Sequence, residues 1–218
     1  MTKKILFTGI FLIFGGRLLY SSNILHVPRT DNPPVIDGEI NDEAWLAAAK
    51  TFKGVIAGWT NFSGKLIDNQ RVAFVCYDGD NLYAGVKIFV ENIERVVSKG
   101  PVWLMDAVEI HIENEDADYF HFLAACSGDK DAVAYKPIDF KSAGHISRGL
   151  WSVEISIPWK EINIVPAEGV QIGFNIMGYD YKDKWITFGP SFGGFWLPDA
   201  HEHTRKGTPV SLWMMKLQ

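Results

Sequence analysis

Ala107-Val108-Glu109-Ile110-His111-Ile112-Glu113 is followed, after Asn114-Glu115-Asp116-Ala117-Asp118, by Tyr119-Phe120-His121-Phe122-Leu123-Ala124-Ala125-Cys126. Apolar residues alternate with others along the first run and recur at every second place in the next, as in strands that turn one face to a core. The segment between them is made of turn-forming Asn and Asp. With residues 114–118 as the loop, Glu113 pairs with Tyr119, His111 faces His121 and Glu109 faces Leu123. Val108, Ile110, Ile112, Phe120, Phe122 and Ala124 then share the core face. Glu109, His111, Glu113, Tyr119, His121 and Leu123 share the other. Polar and aromatic groups side by side are the chemistry of a sugar-facing surface, and a plain solvated face explains the same pattern more simply.

Outward from this hairpin the chain keeps to short β-rich runs separated by turn residues. Strands are expected at Arg71–Tyr77, Leu82–Val90, Leu150–Ile157, Gln171–Tyr179, Lys184–Phe188 and Thr208–Met214. Asp78-Gly79-Asp80-Asn81 reads as a hairpin turn, since Asp-Gly favours positive φ. Pro158-Trp159-Lys160-Glu161-Ile162 reads as one helical turn with Pro at its first position. The best helix is Asn41 to Ala49, with Asn41 or Asp42 as its cap, acidic residues in its first turn and Trp45 directed to the core. Many short strands with a single early helix specify an all-β fold, an antiparallel β-sandwich of jelly-roll type with one short N-terminal helix.

The 218 residues, 47% hydrophobic and 13% aromatic, suffice for one such sandwich. Lys3-Lys4 followed by apolar Ile5–Phe14 has the pattern of an export signal, too short to span a bilayer. Residues 1–22 are therefore expected to be a signal peptide or an uncleaved anchor, residues 23–218 one β-sandwich domain, and the location secreted or periplasmic. A net charge of −5 with no basic stripe argues against nucleic acid. Cys76 and Cys126 fall in expected strands, where a disulfide and two buried thiols are both open readings.

The eight tryptophans sort by context. Trp45, Trp151 and Trp159 sit among apolar residues on patterned elements and are expected in the core. Trp59, Trp185 and Trp213 are ambiguous. Trp103, in Gly100-Pro101-Val102-Trp103-Leu104-Met105-Asp106, and Trp196, in the Gly- and Pro-rich stretch Gly189 to Pro198, stand on loops. A large aromatic there either plugs the core or meets a partner. Indoles stack on the apolar face of a pyranose ring, and nearby carboxylates accept its hydroxyl protons.

Several segments, in order, resemble carbohydrate-binding module family 9. They are Val35-Ile36-Asp37-Gly38-Glu39-Ile40-Asn41-Asp42-Glu43-Ala44-Trp45, Tyr77-Asp78-Gly79-Asp80-Asn81-Leu82-Tyr83, Trp103-Leu104-Met105-Asp106-Ala107-Val108-Glu109-Ile110, Trp151-Ser152-Val153-Glu154-Ile155-Ser156-Ile157-Pro158-Trp159 and Gly173-Phe174-Asn175. The resemblance runs from about Pro33 to Leu212, and the related DOMON-like domains share its scaffold. It implies a β-sandwich that clamps a poly- or oligosaccharide between two tryptophans without changing it, with structural calcium. Trp103 and Trp196 correspond to the clamp and Glu109 to the sugar-contacting carboxylate, with His111 and His121 on the same surface. Where the family has Arg and then Asn on the strand after the Glu strand, this chain has His121 and Leu123, so the ligand is expected to differ or to be lost. A glycoside hydrolase or a surface complex is the implied partner.

Other chemistries compete with this reading. Asp106 and Glu109 can be imagined as glycosidase carboxylates, though nothing in their spacing requires it. His111, His121 and Glu109, or His201-Glu202-His203, offer zinc-type donors. The oxygen-rich turns at Asp78-Gly79-Asp80-Asn81 and Asn114-Glu115-Asp116 offer calcium-type donors, with Asp78 and Asp80 as metal candidates. The scaffold's haem-binding relatives raise Met105 and His121 as axial ligands, and a protein-interaction module that has lost sugar binding is a further alternative.

Overall fold

A computed structural model describes residues 24–59, 65–134, 136–181, 185–188 and 213–218. In chain order these form β1 (Leu25–Val27), α1 (Glu43–Thr51), β2 (Val55–Ile56), β3 (Arg71–Tyr77), β4 (Asn81–Phe89), β5 (Ala107–Glu113), β6 (Tyr119–Ala125), β7 (Lys130–Val133), β8 (Lys141–Ser147), β9 (Leu150–Pro158), β10 (Gln171–Asp180), β11 (Trp185–Phe188) and β12 (Trp213–Leu217). Single 3-10 turns occur at Ile93–Arg95, Val102–Leu104 and Trp159–Glu161. Residues 1–22, which carry the expected export signal, lie outside the described residues, as do Trp196, His201 and His203.

Two sheets form the sandwich. One runs β1-β12-β10-β5-β6-β7, with β11 also paired to β10, and the other runs β2-β3-β4-β9-β8. Named strand pairs are antiparallel except β1 with β12, which is parallel. Between the sheets lie Ile110, Phe120, Phe122 and Phe174 from the first and Val75, Val86, Ile88, Trp151 and Val153 from the second, all fully enclosed. Full burial of each such side chain stabilises the fold by roughly 1.5–3 kcal/mol. Arg71 Nη2 of β3 reaches across to Asp180 Oδ2 of β10 at 2.5 Å, so one ion pair joins the two sheets. The Trp59 ring lies 5.8 Å from the Arg71 guanidinium carbon.

A second, smaller core covers the far face of the β3-containing sheet. Ile40, Ala44 and Trp45 pack there on Cys76 and Tyr83. At its centre is the fully buried Glu154. Its Oε1 accepts the Trp45 indole N–H at 2.7 Å, and its Oε2 accepts the backbone N–H of Gly38 at 2.8 Å and of Asp37 at 3.0 Å. Gly38 has φ 93°, and a Cβ there would stand 2.6 Å from the Gly144 backbone, so only glycine fits.

The expected strands occur with ends shifted by a residue or so, save that β12 runs Trp213–Leu217 and residues 208–212 are outside the described set. Four strands were not expected: β1, β2, β7 and β8. Sequences such as Lys130-Asp131-Ala132-Val133 and Lys141-Ser142-Ala143-Gly144-His145 lack β-branched alternation, because they lie at sheet edges and are only partly buried. The helix begins two residues later than expected. Asp42 holds the cap position, but its carboxylate accepts the Val35 N–H at 3.0 Å instead of capping the first turn. Trp45, Trp151 and Trp159 are buried as expected, and so is Trp59. Cys76 and Cys126 are free thiols in different cores. Burial pushes each up to about 12, so both stay protonated and inert.

Candidate functional site

The strand that carries Glu109 and His111 is central in its sheet, between β10 and β6. The pairing of β5 with β6 is Glu113 with Tyr119, His111 with His121 and Glu109 with Leu123, the register read from the sequence. On the other side Asn175 stands opposite His111 and Met177 opposite Glu109. Residues directly opposite share a face, so the outer face presents Glu109, His111, Tyr119, His121, Leu123, Asn175 and Met177 together.

This face is not the open polar surface that alternation alone implies. His111, Tyr119, His121, Leu123, Asn175 and Met177 are all buried. Within it the two imidazoles stack with ring centroids 4.3 Å apart and planes 17° apart. His121 Nε2 lies 3.0 Å from Glu109 Oε2, and His111 Nε2 lies 3.5 Å from the same oxygen. His111 Nδ1 hydrogen-bonds to the Tyr119 hydroxyl. The stacked imidazoles are directly opposite, whereas His121 to Glu109 and His111 to Tyr119 run to the diagonal cross-strand neighbour, within reach of long and aromatic side chains. Burial acts to raise the Glu109 carboxyl, but hydrogen bonds to His111 and His121 and their charge outweigh it and hold the group far below the usual carboxylate range. Glu109 is therefore a fixed anion. Its side chain keeps 20% of its surface exposed, so solvent reaches it.

Trp103 lies just upstream, in the 3-10 turn Val102–Leu104 that feeds β5. It is 60% exposed and does not plug the core. The turn is pinned by Leu104 N–H to the Pro101 carbonyl at 2.8 Å and Asp106 N–H to the Val97 carbonyl at 2.9 Å. Asp106 itself is buried and accepts the Tyr181 N–H at 2.7 Å. Burial pushes its carboxyl up to about 6, with Asp180 adding to the rise and Arg71 opposing it. It shares its electrostatic environment with the Arg71–Asp180 pair.

Asp78, a calcium candidate, commits both oxygens to its own hairpin: Oδ1 accepts the N–H groups of Asp80 and Asn81, and Oδ2 accepts the Tyr83 hydroxyl at 2.7 Å. Asn114 Oδ1 likewise accepts the N–H groups of Asp116 and Asp118. Met105 is buried, with its sulfur 3.5 Å from the Ser127 hydroxyl. Among the described residues the group placed to share a metal ion is Glu109, His111 and His121, whose ligand atoms all lie within 4.8 Å of one another. Tyr119 was legible only as a member of the face; its role as the partner of His111 follows from applying the diagonal-neighbour rule to the expected register. The Arg71–Asp180 pair, 109 residues apart in the chain, left no signal in the sequence.

Residues 36–188 match the model of a family described as carbohydrate family 9 binding domain-like. The chain belongs to that family. Two curated family relatives, both endo-1,4-beta-xylanase A, come from Thermotoga neapolitana and Thermotoga maritima. Each is 30% identical, over 163 and 160 residues respectively, and each match covers 69% of this chain but 14% of the relative. The chain thus spans a small part of the length of these relatives. Among solved structures, a carbohydrate binding module family 9 from Caldicellulosiruptor kristjanssonii in complex with cellotriose superposes with TM-score 0.63 at 17% identity, covering 89% of this chain and 93% of that one. The same organism's module with glucose gives TM-score 0.62 at 16% identity, covering 88% and 95%. A putative carbohydrate-binding protein from Bacteroides uniformis gives 0.60 at 14% identity, covering 89% and 98%. At these identities the structural likenesses establish the fold, a family 9 sandwich.

Proposed function

We propose that this family 9 domain is a non-catalytic carbohydrate-binding module that works outside the cytoplasm, holding a poly- or oligosaccharide against the outer face of β5. The observation that carries this reading is the exposed Trp103 at the entrance to the strand whose Glu109 is held as an anion. An exposed indole offers a stacking surface for the C–H face of a pyranose, and a fixed carboxylate accepts hydroxyl protons without titrating near neutrality. Trp196 is the proposed opposing indole. His111 and His121, being buried, act from behind by holding Glu109, with the sugar meeting Trp103 and Glu109 directly. The cellotriose and glucose complexes of structural neighbours favour gluco-configured ligands as the first to try. The xylanase relatives favour xylo-oligosaccharides next and a glycoside hydrolase as partner. Structural calcium, as family resemblance implies, is part of the same proposal.

The test is calorimetric titration of the domain, with calcium present, against cello-, xylo- and manno-oligosaccharides and their monosaccharides. Saturable heat with at least one sugar, lost in Trp103→Ala, supports the reading. A flat panel rejects it and brings the protein-partner alternative forward.

A further inference from the structure

The cluster of Glu109, His111 and His121 has a chemistry that sugar binding does not require. Two imidazole nitrogens converge on one carboxylate oxygen, at 3.0 and 3.5 Å. Donor atoms at the corners of a tetrahedral site with bonds of about 2.0–2.1 Å stand about 3.3 Å apart, and the two observed separations bracket that value. All three ligand atoms lie within 4.8 Å of one another. The three residues sit on adjacent, paired strands in the middle of a sheet, a rigid base for a coordination site.

The surroundings also have the form of a ligand set. A histidine that binds metal through Nε2 carries its proton on Nδ1 and donates it to an oriented partner. His111 Nδ1 already faces the buried Tyr119 hydroxyl. Two neutral imidazoles and one carboxylate carry a single negative charge and suit zinc-class ions in preference to calcium, which takes oxygen donors. The partly exposed Glu109 gives an entry path.

We infer that Glu109, His111 and His121 bind a divalent transition-metal ion of the zinc class, with Tyr119 as the positioning residue for His111. Three protein ligands leave a further position for water or another oxygen ligand. The site goes beyond sugar recognition and stands or falls separately from it.

The test uses the full chain, stripped with chelator and titrated calorimetrically with zinc chloride, and with cobalt(II) as a spectroscopic probe. One equivalent should bind saturably, and cobalt should give the ligand-field bands of a four-coordinate centre. His111→Ala and His121→Ala should each weaken binding by more than about 100-fold, and Tyr119→Phe by about tenfold, the usual scale for an outer partner. Should an alanine variant misfold by circular dichroism, Glu109→Gln and Tyr119→Phe provide the same reading with little change of volume. No saturable zinc binding, or binding that survives in the folded double histidine variant, overturns the proposal. Cellotriose titration of the metal-free protein separates the two readings: sugar binding without zinc binding rejects the metal site alone, and zinc binding without any sugar response rejects the sugar reading alone.

Discussion

Each sheet of the sandwich carries a glutamate in the middle of its outer face, and the two have opposite fates. Glu154 on β9 is fully buried under α1 and receives three neutral donors, the indole of Trp45 and the backbone N–H groups of Asp37 and Gly38. Burial pushes its carboxyl upward. Glu109 on β5 receives two imidazoles, keeps part of its surface in solvent and is pushed downward. Neutral, fixed donors make a carboxylate a bolt for the fold. Titratable donors that can also ligate make it a site. The difference lies in what surrounds the residue, not in the residue.

The comparison breaks most visibly at Glu154. Glu154→Ala orphans the buried Trp45 indole and Gly38 N–H and the partly buried Asp37 N–H, and should destabilise the domain by about 3–5 kcal/mol in urea unfolding. A loss below about 1 kcal/mol would show that the helix and its loop do not depend on this residue. Next is Gly38→Ala, which places a Cβ against Gly144 at a left-handed φ. It should cost about 2–3 kcal/mol, read as a fall in Tm.

The pH dependence of the two glutamates sharpens the contrast. Glu109 has a depressed folded-state pKa, so its stabilisation is present above the unfolded value of about 4.3 and is lost as pH falls through the folded value. Glu154 has a raised pKa, so its ionised form costs stability increasingly as pH rises above about 4.3. Unfolding free energies should therefore show wild type gaining on Glu109→Gln as pH rises from about 2 to 5, and losing on Glu154→Gln as pH rises from about 4 to 8. Slopes of the same sign would remove the distinction. The smallest effect on the fold is expected at the rim. Trp103→Ala should leave stability within about 0.5 kcal/mol, while weakening any sugar complex by the equivalent of about 2 kcal/mol. If it unfolds the protein, Trp103 is a packing residue.

The hairpin that carries the site was legible to the residue: alternation chose the faces, and a five-residue turn segment set the register. The segments of family resemblance were legible too, but not why they are built so. Trp45, Gly38 and Glu154 meet across more than 100 positions, and no local pattern announces that contact.

By itself the sequence determined the sandwich class, the strands β3 to β6, β9 and β10, the core tryptophans and the shared face of Glu109, His111 and His121. Strand period and hydrophobicity are local properties, and they act before any long-range contact forms. Only the tertiary structure decided that the two imidazoles stack and turn their nitrogens to one Glu109 oxygen, that Tyr119 holds His111, that Trp103 stands in solvent, and that the cysteines stay apart. Those outcomes depend on diagonal cross-strand contacts, on what covers each face and on which sheet each strand joins, and these are properties of packing that a one-dimensional pattern does not carry.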